Sequence, residues 1–244
     1  MSLKEVAKWL LGLTPYRVVR GAPNRYQAIG FCLQHLKRLG YEPKRIIDGG
    51  AHLGWFALEV SAIFPAAIVH LVDPQPACRA PLEALAAQRG FFFHPYALSD
   101  KPGIAPMVCD EIPGTGAQLL GQSTVYSGKT QDVEVSSLDS LFSSIGKPSD
   151  RMLLKLDLQG HELQAMKGAS HILECVEVAL VEASFIGQSD EVTLPGLMDF
   201  FFRNGFDLFD IASLNGRPRD NRLREGDFLF VRRGSPILAD AAWS

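Results

Sequence analysis

The sequence predicts an α/β fold in which a mostly parallel sheet carries helices on both faces. Short apolar strands alternate with helical segments along most of the chain, which is the pattern of parallel strands joined by helical crossovers. A glycine-rich turn follows the first of these strands and leads into a helix. Near the C-terminus two strands follow each other without a helix, so they form an antiparallel hairpin or lie apart, because a parallel neighbour needs a long crossover.

The predicted elements follow in order along the chain. Helical spacing of apolar residues at 3–13 and 25–39 predicts an N-terminal helical extension in residues 1–40, ahead of one main domain in residues 41–244. Strands are predicted at residues 45–48, 68–73, 91–95, 132–136, 152–157, 176–182, 206–211 and 227–231. Helices are predicted at residues 55–64, 77–88, 137–145, 161–173 and 194–204. Residues 101–128 are rich in Gly, Pro, Ser and Thr, which predicts an inserted loop or small hairpin in a position to close over a substrate.

Composition excludes several classes of protein. With 47% hydrophobic and 21% charged residues in 244, the chain is globular rather than disordered or fibrous. A net charge of −3 and the lack of a basic run argue against a nucleic-acid partner. No apolar stretch long enough to span a membrane and no signal-peptide pattern is present, so we expect a cytoplasmic protein. The oligomeric state is left open, with a homo-oligomer among the alternatives.

The four cysteines carry no predicted chemistry. They lack the spacing of a metal site, so we expect reduced thiols; they are Cys32, Cys78, Cys109 and Cys175.

The glycine turn is the most informative motif. A dinucleotide-binding turn needs Gly-x-Gly-x-x-Gly, and Ala51 replaces the middle glycine between Gly49 and Gly54. The pattern that fits is Asp-x-Gly-x-x-x-Gly, from Asp48 through Gly50 to Gly54, which is usual for S-adenosyl-L-methionine (SAM). Asp48 then faces the ammonium group of that ligand, and backbone N–H groups of the turn face its carboxylate.

A second acid lies where the next predicted strand ends. His70-Leu71-Val72-Asp73-Pro74 follows the turn after one helix length. In a Rossmann-like sheet an acid at this position accepts hydrogen bonds from ribose hydroxyls. Asp73 is therefore predicted to bind the ribose of a nucleoside.

Four ordered motifs together resemble those of the FkbM-type methyltransferases, which are SAM-dependent O-methyltransferases of the class I fold. The motifs are Asp48–Trp55, Val72–Pro76, Tyr96–Asp100 and Lys155–Glu162, with Lys167-Gly168-Ala169 closing the last. The resemblance covers roughly residues 45–185. The sequence departs from it at His52, where the family commonly has Asn, and at Asp73, where Glu is more common; both replacements keep hydrogen-bonding ability.

The resemblance implies a seven-stranded, mostly parallel sheet with an antiparallel final strand, and methyl transfer from SAM to a hydroxyl. Acceptors of known members are often sugars or polyketide-type natural products. On this basis the cofactor-binding residues are expected to be Asp48, Gly50, His52, Gly54, Asp73, Pro74, Ala97, Ser99, Asp100 and Asp157. Ser99 and Asp100 also fit a simple turn in which they bond their own backbone.

Lys155 and Asp157 lie two residues apart on an apolar strand, so both face the same side of the sheet. One interpretation is a buried ion pair between them that only holds the loop. The other places Asp157 at the carboxyl end of its strand, near the sulfonium or the acceptor hydroxyl.

Methyl transfer to an alcohol benefits from a base within hydrogen-bond reach. Asp157 is our first candidate and Glu162 our second, although helix-dipole preference alone also selects an acid at Glu162. His161 is retained for its suitable pKa, although it also fits a solvent-facing turn, and Glu182 completes the candidates.

Other features have simpler interpretations. Asp157 and Glu182 could hold Mg²⁺. Metal-dependent methyltransferases add nearby Asp or Asn ligands, whereas Ala183 and Ser184 follow here, so no metal is expected. Trp55 and residues 91–93, all phenylalanine, are expected to pack in the core. The arginines of residues 217–224 are expected in a solvated loop, with a phosphate or carboxylate of the acceptor as the alternative partner.

Two other functions compete with methyl transfer. An NAD-dependent oxidoreductase is disfavoured by Ala51 and by the lack of an obvious Tyr-x-x-x-Lys pair. A non-catalytic SAM-binding protein would keep the cofactor motifs without turnover. The expected partner is a small-molecule hydroxyl acceptor, whose identity the sequence does not give.

Overall fold

A computed structural model describes residues 25–108, 117–120, 129–185, 193–217 and 219–239. The helix predicted at residues 3–13 and the cysteine at position 109 lie outside the described residues. None of the described helices is both long enough and apolar enough to cross a membrane.

Seven strands form the main sheet, as the sequence predicts. They are β1 (Arg45–Gly49), β2 (Ile68–Val72), β3 (Phe92–His94), β8 (Met152–Leu156), β9 (Val176–Ser184), β10 (Phe206–Gly216) and β11 (Leu223–Arg232). Their order is β10-β11-β9-β8-β1-β2-β3. The neighbours from β3 to β9 pair in parallel, whereas β11 runs antiparallel to both β9 and β10. The predicted mostly parallel sheet with an antiparallel final strand is confirmed.

Helices cover both faces of this sheet. They are α1 (Arg25–Arg38), α2 (Trp55–Ile63), α3 (Pro76–Arg89), α4 (Leu138–Phe142), α5 (Glu162–Lys167), α6 (Ile172–Cys175) and α7 (Leu194–Arg203). Side chains of α1, α2 and α3 share one core, and those of α4 to α7 share another. Neighbouring strand residues divide between the two: Ile46 lies in the first core and Ile47 in the second. This division follows from the two-residue period of a strand.

The helix predicted at residues 161–173 is wrong as one element, because the structure divides it into α5 and α6. A Cβ on Gly168 would lie 2.4 Å from the carbonyl oxygen of Ser99, so the chain passes too close to its neighbour for any side chain there. The Asp139 carboxylate then accepts hydrogen bonds from the N–H groups of His171 and Ile172 and starts α6. Two tertiary contacts therefore break a segment with helical spacing.

The C-terminal strands are longer than predicted. They pair as a hairpin from Phe206 opposite Arg232 to Gly216 opposite Leu223, so Asn215 and Gly216 belong to a strand rather than to a turn. Register shifts interrupt β10 between Leu208 and Asp210 and again after Ile211. These irregularities break the alternation by which a strand is recognised in sequence. Helix α4 is also shorter than predicted, and the other boundaries differ by a few residues at most.

The predicted inserted region contributes to a second, smaller sheet. This smaller sheet contains β4 (Ala97–Leu98), β5 (Gly103–Val108), β6 (Gln118–Leu119) and β7 (Thr130–Ser136), in the order β4-β7-β5-β6. Strand β5 pairs antiparallel with β6 and β7. Met107, Val133 and Val135 bury a small core of their own.

Two aromatic side chains expected in the core are exposed. Trp55 is 60% exposed at the first turn of α2, and Phe92 is 54% exposed on the edge strand β3, where it stacks on His70. Phe91 and Phe93 do pack against the core as partly buried side chains. A residue at the end of a helix or on an edge strand has one side exposed to solvent. That position depends on the tertiary structure and cannot be predicted from the apolar character of the residue.

Candidate active site

A cleft opens where β1, β2 and β8 end. Helix α1 and the smaller sheet form further walls, through Arg25 and Ile29 on one and Met107 and Leu119 on the other. The predicted site residues that line it are Gly50, His52, Asp73, Pro74, Ala97, Asp157 and His161. The predicted site residues that lie outside its lining are Asp48, Gly54, Ser99, Asp100, Glu162 and Glu182.

The glycine turn requires both of its predicted glycines. Gly50 has φ +74°, and a Cβ there would lie 1.9 Å from the carbonyl oxygen of Asp157. Gly54 has φ +79° at the start of α2, and a Cβ there would lie 2.2 Å from Leu85 Cδ2. The N–H groups of Gly50 and Ala51 both donate to the carbonyl of Val72, so these two amides tie the turn to β2.

Asp48 supports the glycine turn through Lys155. Its carboxylate is fully buried, and the Lys155 ammonium lies 2.9 Å from Oδ1. Lys155 also donates to the carbonyls of Gly49, at 3.2 Å, and Gly50, at 2.8 Å. Burial raises the pKa of Asp48, and Lys155 opposes that rise. The predicted ion-pair alternative between Lys155 and Asp157 is therefore wrong in its partner, because Lys155 pairs with Asp48.

Asp73 is buried at the bottom of the cleft. Its Oδ2 accepts from the N–H of His52 at 2.8 Å, and its Oδ1 accepts from the N–H of Gln75 at 2.9 Å. Each oxygen keeps a further lone pair for a ligand. Burial raises the pKa of Asp73 to about 6, against these two hydrogen bonds.

Two polar side-chain atoms of residues next to Asp73 have no hydrogen-bond partner among the residues that the structure describes. They are Nε2 of His52 and Oε1 of Gln75, and both residues line the cleft. Buried polar atoms are rarely left unpaired, so these two indicate a polar ligand. His52 also holds φ +50°, a strained conformation for a residue with a Cβ.

Ser99 connects the end of β4 with His161. Its hydroxyl donates to Asp100 Oδ1 at 3.2 Å and lies 3.0 Å from His161 Nε2. The Ser99 to Asp100 bond joins two side chains and is not the side-chain-to-backbone turn contact that the sequence left open. Burial lowers the pKa of His161, partly offset by Asp100. His161 is consequently a neutral imidazole near pH 7.

Asp157 belongs to a cluster around the Arg25 guanidinium. Arg25 Nη2 lies 3.0 Å from Asp157 Oδ2 and 2.9 Å from Glu182 Oε1. The same guanidinium donates two hydrogen bonds of 2.7 Å to Asp227. Gln159 Nε2 bridges the first two acids, at 3.0 Å from Asp157 Oδ1 and 3.1 Å from Glu182 Oε2.

The two bridged acids share one proton. Burial and the neighbouring Asp157 raise the pKa of Glu182 to about 10. Burial also opposes ionisation of Asp157, but Lys155 and Arg25 outweigh it and hold its pKa below the ordinary value. Two close carboxyl groups cannot both ionise cheaply, so Glu182 keeps the proton and Asp157 carries the charge.

The Glu162 carboxyl shapes the loop before α5. It is buried, and its Oε1 accepts from the N–H groups of Leu158, at 2.7 Å, and Gly160, at 3.3 Å. Burial raises its pKa to about 7. These contacts make Glu162 a support for the loop that carries Gln159.

Sequence reasoning missed Arg25 and Asp227. Asp227 lies opposite Glu182 in the β11 to β9 ladder, and an acid within an apolar strand was the available signal. No signal marked Arg25, whose partner Asp227 is 202 residues away. Within the described ranges, no group of three or more His, Cys, Asp or Glu side chains is arranged to hold a metal ion.

The strand order, with β11 antiparallel between β9 and β10, and the cleft at the carboxyl ends of the parallel strands define a class I methyltransferase fold. The model of the methyltransferase FkbM domain matches residues 48–208, more than half of the chain. The chain belongs to the FkbM methyltransferase family.

Solved methyltransferase structures resemble this backbone at low sequence identity. An FkbM methyltransferase from Methylobacillus flagellatus KT shares 15% identity, with a TM-score of 0.49 over 76% of this chain and 43% of that one. A precorrin-6y C5,15-methyltransferase from Geobacter metallireducens GS-15 shares 10%, with a TM-score of 0.46 over 89% and 93%. A 1,6-didemethyltoxoflavin-N1-methyltransferase from Burkholderia thailandensis, solved with its substrate and S-adenosylhomocysteine, shares 14%, with a TM-score of 0.45 over 94% and 85%.

The present chain thus spans less than half the length of the Methylobacillus protein. No curated protein matches it.

Proposed function

We propose that this chain is a SAM-dependent O-methyltransferase that acts on a hydroxyl of a neutral small molecule. The observation that carries the proposal is the pairing of two acids in one cleft: Asp73, with free lone pairs at the end of β2, and the ionised Asp157 after β8. The first suits a nucleoside and the second suits a reacting hydroxyl.

The polar groups of the cleft support SAM as the methyl donor. SAM supplies an electrophilic methyl group on a sulfonium. Asp73 would accept from the ribose hydroxyls, and the unpaired atoms of His52 and Gln75 would gain partners in the same ligand. Ala97 gives an apolar wall for the adenine. The remaining predicted cofactor residues would act as supports behind the lining or as minor contacts; they are Asp48, Gly50, Gly54, Pro74, Ser99 and Asp100.

The charge of the cleft favours a neutral acceptor. With the proton on Glu182, the cluster of Arg25, Asp157, Glu182 and Asp227 carries one net negative charge. A carboxylate or phosphate acceptor would be repelled, whereas a hydroxyl can donate to Asp157. The family resemblance adds sugars and polyketide-type natural products as the acceptor classes to test first.

Asp157 is the proposed base. It lines the cleft and is ionised, so it would orient the attacking hydroxyl and receive its proton. In that step the oxygen would bond to the methyl carbon, the bond from that carbon to sulfur would break, and S-adenosylhomocysteine would leave. His161 is the alternative base, because it is a neutral imidazole in the same lining. Glu182 already holds a proton, and Glu162 is engaged by loop amides, so both are proposed to act indirectly.

Calorimetric titration tests the cofactor. S-adenosylhomocysteine should bind the wild-type chain, NAD should not, and Asp73→Ala should weaken S-adenosylhomocysteine by about tenfold or more, since the lost carboxylate makes charge-assisted hydrogen bonds. Asp150→Ala is the matched control, because Asp150 is also a buried acid but lies outside the cleft lining. Binding of NAD alone would overturn the proposal.

Transfer of a labelled methyl group to a panel of sugars and hydroxylated natural products tests the reaction. Asp157→Asn should lower turnover by roughly 100-fold or more while S-adenosylhomocysteine affinity changes by less than about threefold. A product that survives mild alkali is not a methyl ester, as expected for transfer to a hydroxyl. Full activity in Asp157→Asn together with loss in His161→Ala would move the base to His161.

A further inference from the structure

Two residues outside the family match, Arg25 in the cleft lining and Asp227 behind it, contact each other. The match spans residues 48–208, yet Arg25 begins α1 and Asp227 lies in β11. The guanidinium Nε and Nη2 both donate to Asp227, at 2.7 Å each. This forked geometry fixes the plane of the guanidinium, because both donors must face one carboxylate.

The fixed guanidinium also fixes Asp157. Its Nη2 lies 3.0 Å from Asp157 Oδ2, while Gln159 Nε2 holds the other oxygen at 3.0 Å. Each oxygen of the proposed base thus has a fixed donor, and protonated Glu182 is a further hydrogen-bond partner of Asp157. Gln159 has φ +54°, so the loop holds this side chain in place at a cost in backbone strain.

Asp227, the carboxylate that fixes Arg25, is itself held by a hydrogen bond. The hydroxyl of Ser213 on β10 donates a short hydrogen bond to Asp227 Oδ2. Asp227 is buried and lies opposite Glu182 in the sheet. A chain of contacts therefore runs from the edge strand through Asp227 and Arg25 to Asp157.

We propose that Arg25 is a positioning residue for Asp157, and that helix α1 is thereby part of the methyl-transfer site. The proposal rests on the proposed function of Asp157. It also implies that the predicted N-terminal extension is not separable from the main domain in function.

Arg25 is one of several charged or titratable groups that act on Asp157. The others are Lys155 on β8, Glu182 on β9, Asp48 on β1 and Glu162 on α5, whereas Asp227 on β11 pairs with Arg25 itself. Removal of Arg25 takes away a cation and leaves the acids in place. Ionisation of Asp157 should then become harder, and the acidic limb of the kcat/KM profile should move to higher pH.

The experiment compares Arg25→Gln and Arg25→Lys with the wild-type chain in pH profiles of methyl transfer. Arg25→Gln should lower kcat by roughly 10- to 100-fold with little change in the KM for SAM, because a misplaced base slows the chemical step. Arg25→Lys should recover part of kcat and of the acidic limb, since it keeps the charge but not the fork.

Arg45→Gln is the matched control. Its side chain is 22% exposed, as is that of Arg25, and it pairs with the buried Asp150 at 3.0 Å away from the cleft lining. It should lose stability without any shift of the acidic limb. If Arg25→Gln likewise leaves kcat and the limb unchanged, Arg25 is merely structural and the proposal is wrong.

Two further readouts keep the outcomes distinct. If Arg25→Gln does not fold, Arg25→Lys decides: an unchanged kcat and pH profile refutes the proposal, and a lower kcat with a shifted limb supports it. Failure of the proposed function itself is seen in the wild-type chain, as absence of methyl transfer or of S-adenosylhomocysteine binding.

Discussion

The variant Gly50→Ala, which adds one methyl group, tests the close approach between the glycine turn and the Asp157 carbonyl that shapes the cleft. A Cβ there would lie 1.9 Å from the carbonyl oxygen of Asp157, about 1.5 Å short of the 3.4 Å at which ordinary contact begins. The carbonyl cannot retreat freely, because the N–H of Asp157 donates to the carbonyl of Gly49 at 3.1 Å and holds the two segments together. The turn or the Asp157 loop must therefore move.

Gly90→Ala isolates the backbone part of the cost. Gly90 has φ +72°, close to the +74° of Gly50, but no atom lies within 4 Å of the position that a Cβ would take there. Left-handed backbone should cost both variants about 1 to 2 kcal/mol of stability. The clash should cost Gly50→Ala about 1 to 3 kcal/mol more.

Urea denaturation of both variants, followed by titration with S-adenosylhomocysteine, measures the two effects. Gly90→Ala should bind as the wild type does. Gly50→Ala should lose about tenfold or more in affinity, equal to about 1.4 kcal/mol. Equal destabilisation of the two variants with wild-type binding by Gly50→Ala would refute the argument from close approach.

Two further predictions concern stability. Burial raises the pKa of Glu162 from 4.5 to about 7, so its contribution to stability is fully present below pH 4.5 and is lost as pH rises through 7. Glu162→Gln keeps an acceptor for the loop amides but does not titrate. Between pH 4.5 and 8 the free energy of unfolding in urea should therefore fall by about 3 kcal/mol more in the wild type than in this variant. Parallel curves of unfolding free energy against pH would contradict this. Phe201 is fully buried and its ring stacks 4.2 Å from Phe230, so Phe201→Ala should cost about 3 to 5 kcal/mol. Its neighbour Phe202 is 39% exposed, and Phe202→Ala should cost about 0.5 kcal/mol or less; similar costs would show that the two rings are equally packed.

Local patterns were sufficient for most of the fold. The run from Ile46 to Gly54 specifies strand, turn and helix through apolar alternation and glycine spacing, and the structure has all three there. The same patterns failed where a tertiary contact overrides them. At Gly168 the helical segment is interrupted where the Ser99 carbonyl leaves no room for a side chain. In β10 the bulges after Leu208 interrupt the apolar alternation, so the sequence predicted only the first half of the strand.

The candidate site divides in the same way. The sequence predicted Gly50, Asp73 and Asp157 as site residues because each follows a predicted strand, and all three line the cleft at the carboxyl ends of those strands. It did not separate lining residues from those behind them. Asp48 and Glu162 have the residue types of ligand-binding groups, yet the structure uses the first to hold Lys155 and the second to hold loop amides.

The sequence by itself determined most of the strand and helix pattern, the family, and the two motifs that we propose bind the cofactor, because these depend on residues within a few positions of one another. Only the tertiary structure decided which charges meet at the floor of the cleft. Arg25 and Asp227 are 202 positions apart, and their contact depends on the packing of α1 beside the sheet and on the register of β11 against β9. Sheet order and register are set by the packing of the whole chain, so no local pattern records them.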